Sequence, residues 1–162
     1  MAKKIIITGG LGYIGSELCK LYSGISWHHN ITVIDNRFIS SRFNQIKNWN
    51  MEFVQGDILD KGLVNKYFKD ADVVHHLAGV TNVPRTKNES NPDKDKMIKT
   101  VGVDGTQNIL NAVSSKCKII FPSTHVVFEG LNEVKNDITE DEPTKPVLSY
   151  STSKAINETQ LK

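Results

Sequence analysis

The sequence predicts an α/β fold, a doubly wound parallel sheet, and three observations carry that prediction. Short runs rich in Val and Ile recur at residues 5–8, 31–35, 51–55, 72–77 and 118–122, each the length of a strand buried on both faces. Stretches with helical spacing of apolar residues lie between them, at 61–69 and 94–115. The first run ends in a glycine-rich turn, Thr8-Gly9-Gly10-Leu11-Gly12-Tyr13-Ile14-Gly15. Strands alternating with helices imply βαβ crossovers, which demand a parallel sheet.

Taken in order, Ile5 to Thr8 is the first strand, and Leu11, Ile14, Leu18 and Leu21 predict the buried stripe of the helix after it, ended by Gly24. The second strand closes on Asp35. In the 94–115 helix Ile98, Val101, Ile109, Leu110 and Val113 supply the apolar positions, whereas 86–96 is polar and reads as a surface loop. Residues 129–147 are acidic and contain Pro143 and Pro146, so they read as a loop, and a last helix opens near Ser149 with Ala155, Ile156 and Thr159 following. One domain over 1–162 is expected, with the sheet truncated at its C-terminal side.

Composition restricts the partners. Hydrophobic residues make up 38% and charged residues 23% of the chain, and its 20 basic and 18 acidic side chains are interspersed, leaving a formal charge of only +2. That pattern offers no electrostatic footprint for nucleic acid or an anionic membrane. The apolar run after Met1-Ala2-Lys3-Lys4 is too short for a signal segment or a membrane span. Cys19 and Cys117 lack CxxC spacing and read as reduced core thiols of a cytoplasmic protein. His28-His29, His75-His76 and His125 lack chelating spacing, so no metal is expected; His125 reads as a neighbour of a substrate pocket.

The turn suits a dinucleotide. Gly9, Gly12 and Gly15 give a tight turn, a close backbone approach to a pyrophosphate, and close helix–strand packing at a helix N-terminus that attracts anions. Alone, such glycines equally fit an ordinary loop. Asp35 follows Gly15 by twenty residues at the end of the second strand, where a carboxylate accepts hydrogen bonds from an adenosine ribose and repels a 2′-phosphate. NAD is therefore expected over NADP, although Arg37 stands close enough in sequence to pair with such a phosphate.

These motifs resemble the extended short-chain dehydrogenases/reductases, the family of nucleotide-sugar epimerases and dehydratases, whose cofactor-binding part has a Rossmann-type sheet. Thr8, Gly9, Gly12 and Gly15 match its TGxxGxxG signature, Gly56-Asp57-Ile58 its adenine-contacting segment, and His76-Leu77-Ala78-Gly79 the segment along the cofactor. Tyr150-Ser151-Thr152-Ser153-Lys154 matches its YxxxK signature, and Thr124 in Pro122-Ser123-Thr124 takes the place of its catalytic Ser or Thr. The resemblance implies NAD contacts from Gly9, Gly12, Tyr13, Ile14, Gly15, Asp35, Asn36, Asp57, Ile58, Leu77, Ala78, Gly79, Tyr150 and Lys154, and catalysis by Thr124, Tyr150 and Lys154. One departure stands out: Gly102 in Gly102-Val103-Asp104-Gly105-Thr106 occupies the place of an asparagine that helps to shape the active-site helix.

The implied reaction is reversible hydride transfer on a nucleotide-diphosphate sugar, with Tyr150 taking the hydroxyl proton, Thr124 bonding the same oxygen, and Lys154 holding the nicotinamide ribose. Tyr150 and Lys154, four residues apart, share a helix face. Bringing a phenol near neutrality takes ~4 kcal/mol, and an ammonium about 4 Å away at an effective dielectric near 20 supplies roughly that. The family's usual substrate-binding region lies beyond the matched motifs, so the chain is expected to be a cofactor-binding fragment, inactive alone. Self-association is expected as well, through the 94–115 and Tyr150 helices or through the edge of the fifth strand. The alternative is an NAD-binding module or sensor without turnover, which Gly102 favours.

Overall fold

The computed structural model describes residues 1–80, 83–84 and 86–162. Its elements are β1 (Lys4–Thr8), α1 (Tyr13–Ser23), β2 (Asn30–Asp35), α2 (Ser40–Asn48), β3 (Glu52–Gln55), α3 (Lys61–Phe68), β4 (Val73–His76), α4 (Pro92–Lys99), α5 (Gly105–Ala112), β5 (Lys118–Ile120) and α6 (Ser149–Gln160). The chain divides into two compact units: Met1–Gly79 with Gly105–Pro122, and Val80–Asp104 with Ser123–Lys162.

The first unit holds the sheet. All neighbouring strands are parallel in the order β3-β2-β1-β4-β5, so the chain winds outward from β1 to β3 and then restarts on the other side of β1. That is the doubly wound α/β arrangement expected, and its reversal of direction lies beside β1. Ile5, Ile7, Ile31 and Val33 pack with Leu11, Cys19, Ile46 and Met51 into one core. Each fully buried aliphatic side chain there contributes about 1.5–3 kcal/mol. Helices begin where the sequence supplies acceptors: the Asp60 carboxylate accepts from the Gly62 and Leu63 amides at the start of α3.

Three expectations for this unit need correction. The buried face of α1 is Gly15 and Cys19 with Leu18 and Tyr22 partly covered, while Ile14 and Leu21 are exposed and Leu11 precedes the helix. At about 100° per residue, 15, 18, 19 and 22 cluster on one side and 14 and 21 fall well off it; the close approach of Gly15 to the turn decides which side faces the sheet. Helix α2 lies where none was expected, because only Ile46 of its nine residues is buried. Cys117 is only partly buried, whereas Cys19 lies in the core and burial pushes its thiol up to about 12.

The second unit carries α4, a π-helical turn at Thr100–Asp104, a loop and α6. The expected 94–115 helix is thus interrupted, and the polar 86–96 stretch is not all loop, since α4 starts at Pro92 with the Asn91 side chain accepting from the Lys94 amide. Residues 129–147 are without helix or strand, as their composition predicts. No helix among the described residues is long and apolar enough to cross a membrane.

Candidate functional site

Every residue that the sequence marks for the cofactor, apart from Tyr150 and Lys154, falls in the first unit at the carboxyl ends of β1 to β4 or in the turn that follows. Gly9 follows β1 with φ of 65°, a backbone that L side chains avoid, and a Cβ there would lie 2.8 Å from the Leu77–Ala78 backbone. At Gly15 a Cβ would lie 2.4 Å from the Gly9 carbonyl oxygen. The turn therefore brings β1, α1 and the end of β4 into backbone contact. Gly12 caps α1 without any side-chain hydrogen bond, and the first turn of α1 holds no acidic residue. A helix end left so, behind exposed Tyr13 and Ile14, offers amide donors to an anion.

A buried polar chain locks that turn. Thr8 Oγ1 accepts from the Leu77 and Ala78 amides at 3.1 and 3.0 Å, which engages both of its lone pairs. Its hydroxyl proton is then directed to His76 Nδ1, 3.0 Å away, and His76 Nε2 carries the proton donated to Thr106 Oγ1 at 2.9 Å. His76 is thus the link between the glycine turn, the Leu77-Ala78-Gly79 segment and α5.

Asp35 is buried at the end of β2. Its Oδ2 accepts from the Leu11 amide at 3.0 Å, and its Oδ1 accepts from the Arg37 amide at 3.0 Å and Arg37 Nε at 3.3 Å. One acceptor position on Oδ2 stays available by valence, which suits a ribose hydroxyl. Asn36 Nδ2 donates to Asp57 Oδ2 at 3.1 Å, and Asp57 Oδ1 accepts from the Leu59 amide. Ile58 turns its side chain into the core, and its carbonyl accepts from Asn108 Nδ2. Arg42, on the unexpected α2, donates to the Leu11 carbonyl; no sequence signal marked it. These glycine, amide and carboxylate positions fit a dinucleotide.

In the second unit α6 begins at Ser149, so Tyr150 and Lys154 share a face as the spacing predicts, with Lys154 Nζ 5.8 Å from the centre of the Tyr150 ring. The expected electrostatics do not follow. Burial pushes the Tyr150 hydroxyl above its ordinary 10.0 and pushes Lys154 down to about 8. The ammonium faces the ring, and desolvation of each group outweighs their attraction. Thr124 precedes the short 3-10 helix His125–Phe128 and its Oγ1 accepts from the Val126 amide at 3.4 Å, leaving its hydroxyl proton to donate. His125 is exposed.

Gly102 lies in the π turn, where the backbone register leaves carbonyls in need of donors. Asn157 of α6, fully buried, donates Nδ2 to the Gly102 carbonyl at 3.0 Å, and Gln160 Nε2 donates to the Val103 carbonyl at 3.4 Å. A Cβ at 102 would lie 3.3 Å from Ser153 Oγ. The carbonyl at 102 is thus bonded by a side-chain amide from α6, a contact the sequence motif could not reveal. Two of the remaining histidines serve separate contacts: His29 Nδ1 accepts from the Lys3 amide and His75 Nε2 pairs with the Tyr22 hydroxyl.

A family model described as "NAD dependent epimerase/dehydratase family" matches residues 5–162. A UDP-N-acetyl-alpha-D-glucosaminuronate decarboxylase of Bacillus cytotoxicus is 35% identical over 79% of this chain and 38% of its own. A putative UDP-glucose 4-epimerase of Methanocaldococcus jannaschii is 33% identical over 98% of this chain and 50% of its own. Among solved structures, UDP-glucose 4-epimerase from Brucella ovis in complex with NAD superposes with a TM-score of 0.78 at 29% identity, covering 99% of this chain and 47% of that one. The chain spans about half the length, or less, of the proteins it matches.

Proposed function

The chain belongs to the NAD dependent epimerase/dehydratase family, and from that premise we propose that its 162 residues form the NAD-binding domain of an enzyme acting on a nucleotide-diphosphate sugar. The observation that carries this reading is the convergence, within one unit, of the Gly9–Gly15 turn, Asp35, Asp57 and the Leu77–Ala78 backbone at the carboxyl ends of four parallel strands. Gly9, Gly12, Gly15 and the amides of Tyr13 and Ile14 would hold the pyrophosphate. Asp35 would accept from the adenosine ribose, with Asn36 beside it; Asp57 and the Ile58 backbone would border the adenine, and Leu77, Ala78 and Gly79 would run along the nicotinamide half.

When bound, NAD would accept a hydride from a sugar carbon and return it. The chain's own residues would handle the proton: Tyr150 Oη takes it from the sugar hydroxyl as the C–H bond breaks, and Thr124 Oγ1 donates to the same sugar oxygen. Lys154 would hold the nicotinamide ribose and favour the phenolate. With Tyr150 raised by burial in the chain alone, positive charge has to arrive with the ligands before the phenol ionises. That same observation favours the second reading, NAD binding without turnover.

The length of the relatives beyond what this chain spans would supply the walls for sugar and nucleotide, so these 162 residues alone would bind NAD without turning over a nucleotide sugar. We place the protein in the cytoplasm, self-associating through helices or the edge of β5. Calorimetry tests the reading: NAD is expected to bind more tightly than NADP, and Asp35→Ala to weaken NAD by about tenfold or more, the loss of a charge-assisted hydrogen bond. Equal binding of both dinucleotides, or an Asp35→Ala variant that binds normally, contradicts it. Light scattering checks the association, and absorbance of reduced cofactor with UDP-, GDP- and dTDP-sugars separates the enzyme from the module.

A further inference from the structure

Helix α6 has a poor start by its own sequence. Its N-cap is Leu148, whose side chain has no acceptor to offer the amides of the first turn, and the helix's own contribution is Ser151 Oγ, which accepts from the Leu148 amide at 3.2 Å. Tyr150, the second residue of this helix, sits where fraying is greatest. Two carboxylates from other elements take over. Glu129 Oε1 accepts from the Val147 amide at 2.9 Å, from the Leu148 amide at 2.7 Å and from Ser151 Oγ. Asp95, on α4, accepts from Ser149 Oγ at 2.6 Å on one oxygen and from Ser90 Oγ at 2.6 Å on the other. The serines on either side of Tyr150 are therefore each bonded to an acid.

Glu129 is itself anchored. The Lys145 amide donates to the Val127 carbonyl at 2.7 Å and the Gly130 amide to the Lys145 carbonyl at 2.9 Å, zipping together the two ends of the 131–144 loop. Glu129 lies five residues after Thr124, so one short, doubly bonded segment connects the threonine's element to the start of α6. A negative charge at a helix N-terminus adds the favourable interaction with the helix dipole. Both acids are held below their ordinary values: burial pushes Glu129 up, but the bonds from Ser151, Leu148 and Val147 outweigh it, and the bonds from Ser149 and Ser90 draw Asp95 down.

We infer that Asp95 and Glu129 are positioning residues for Tyr150, gripping the serines on its two sides so that the first turn of α6 stays wound and the phenol stays half-buried. The inference rests on the reading of Tyr150 as the proton-transferring group, but its test does not need turnover. Phenol ionisation would be followed by absorbance in pH jumps, before unfolding, each variant being measured with and without Tyr150→Phe so that the difference isolates Tyr150. In the unaltered chain the difference midpoint is expected above 10.0, the ordinary value. Asp95→Ala and Glu129→Ala are expected to lower it toward that value as the frayed turn admits water, while Asp95→Asn and Glu129→Gln, which keep an acceptor oxygen, retain more of the elevation.

Alanine variants that melt earlier with an unmoved Tyr150 midpoint would show a merely structural role and overturn the inference. Should the alanine variants fail to fold, Ser149→Ala and Ser151→Ala cut the same bonds from the helix side, and an unmoved midpoint in both would overturn it equally. NAD calorimetry on the unaltered chain is read separately. Absence of NAD binding would defeat the proposed function and leave the Tyr150 measurement interpretable.

Discussion

In the unit of Met1–Gly79 and Gly105–Pro122 the glycine turn is held by backbone contact, by the buried Thr8, His76 and Thr106 side chains, and by the Asp35 carboxylate on the Leu11 amide. In the unit of Val80–Asp104 and Ser123–Lys162 the candidate residues are held by ionised carboxylates on the margin of α6, and the key pair, Tyr150 and Lys154, sits in surroundings that favour neither charged form. The first arrangement is set once by folding. The second retains an electrostatic cost wherever Lys154 carries its charge.

The sharpest break in the first region is steric. Gly15→Val is expected to destabilise the chain by more than about 3 kcal/mol and to abolish NAD binding, since even the Cβ would stand 2.4 Å from the Gly9 oxygen and 2.6 Å from the Gly10 Cα. Urea denaturation and calorimetry check both; near-normal stability would mean that α1 can move away from the turn. Thr8→Val tests the polar half of the same region. It removes the acceptor of the Ala78 amide and the hydroxyl paired with His76 Nδ1, while the Leu77 amide keeps the Thr8 carbonyl at 3.2 Å, at a cost of about 1–3 kcal/mol. Thr8→Ser, which keeps the hydroxyl, should recover most of that in the same titration.

The two regions also differed in how plainly the sequence announced them. The strands, the glycine turn and Asp35 are legible because they depend on residue type at fixed spacing: continuous Val and Ile for a strand covered on both faces, glycine for backbone contact, an acid twenty residues on. The start of α6 was legible from Ser149-Tyr150 alone. Glu129, Asp95 and Asn157 were not, because each acts across more than 20 residues of chain and would pass for a solvated side chain until folding brings it to α6. Helix α2 was missed for want of a stripe, and the face of α1 was misread because the smallest residue, Gly15, rather than the largest, sets the packing.

In the second region the expected effect has the opposite sign. Lys154 has a folded value of about 8 against an ordinary 10.5, caused by burial, so the folded state favours the neutral amine. The stability associated with that neutral form is present at high pH and lost as pH falls through about 8, and near neutrality the chain holds a poorly solvated charge. Lys154→Met is therefore expected to raise the melting temperature near pH 7 by about 2–4 °C while weakening NAD. A scan in parallel with calorimetry decides it, and a fall in melting temperature would show that the ammonium is stabilising after all. A gain in stability bought with a loss of binding is what separates this region from the glycine turn.

The smallest expected effect orders the two regions by acid sensitivity. His75 lies buried on β4 with Nε2 2.8 Å from the Tyr22 hydroxyl, and burial, then repulsion from Lys118, lowers its value below the ordinary 6.5. In the unfolded chain the ring protonates first as pH falls. The folded state thus keeps the full benefit of a neutral His75 above about 6.5 and loses it gradually below, down to the lower folded value. The carboxylates at α6 behave alike but later: Asp95 and Glu129 are held below 3.8 and 4.5, so their bonds weaken only beneath those values. Acidification from pH 7 to 5 should therefore lower the melting temperature through the sheet unit, with His75→Gln, an acceptor that does not titrate, flattening that slope while leaving the later acid loss in place. Unchanged slopes between the two proteins from pH 7 to 5 would remove His75 from the account and leave the carboxylates as the earlier point of failure.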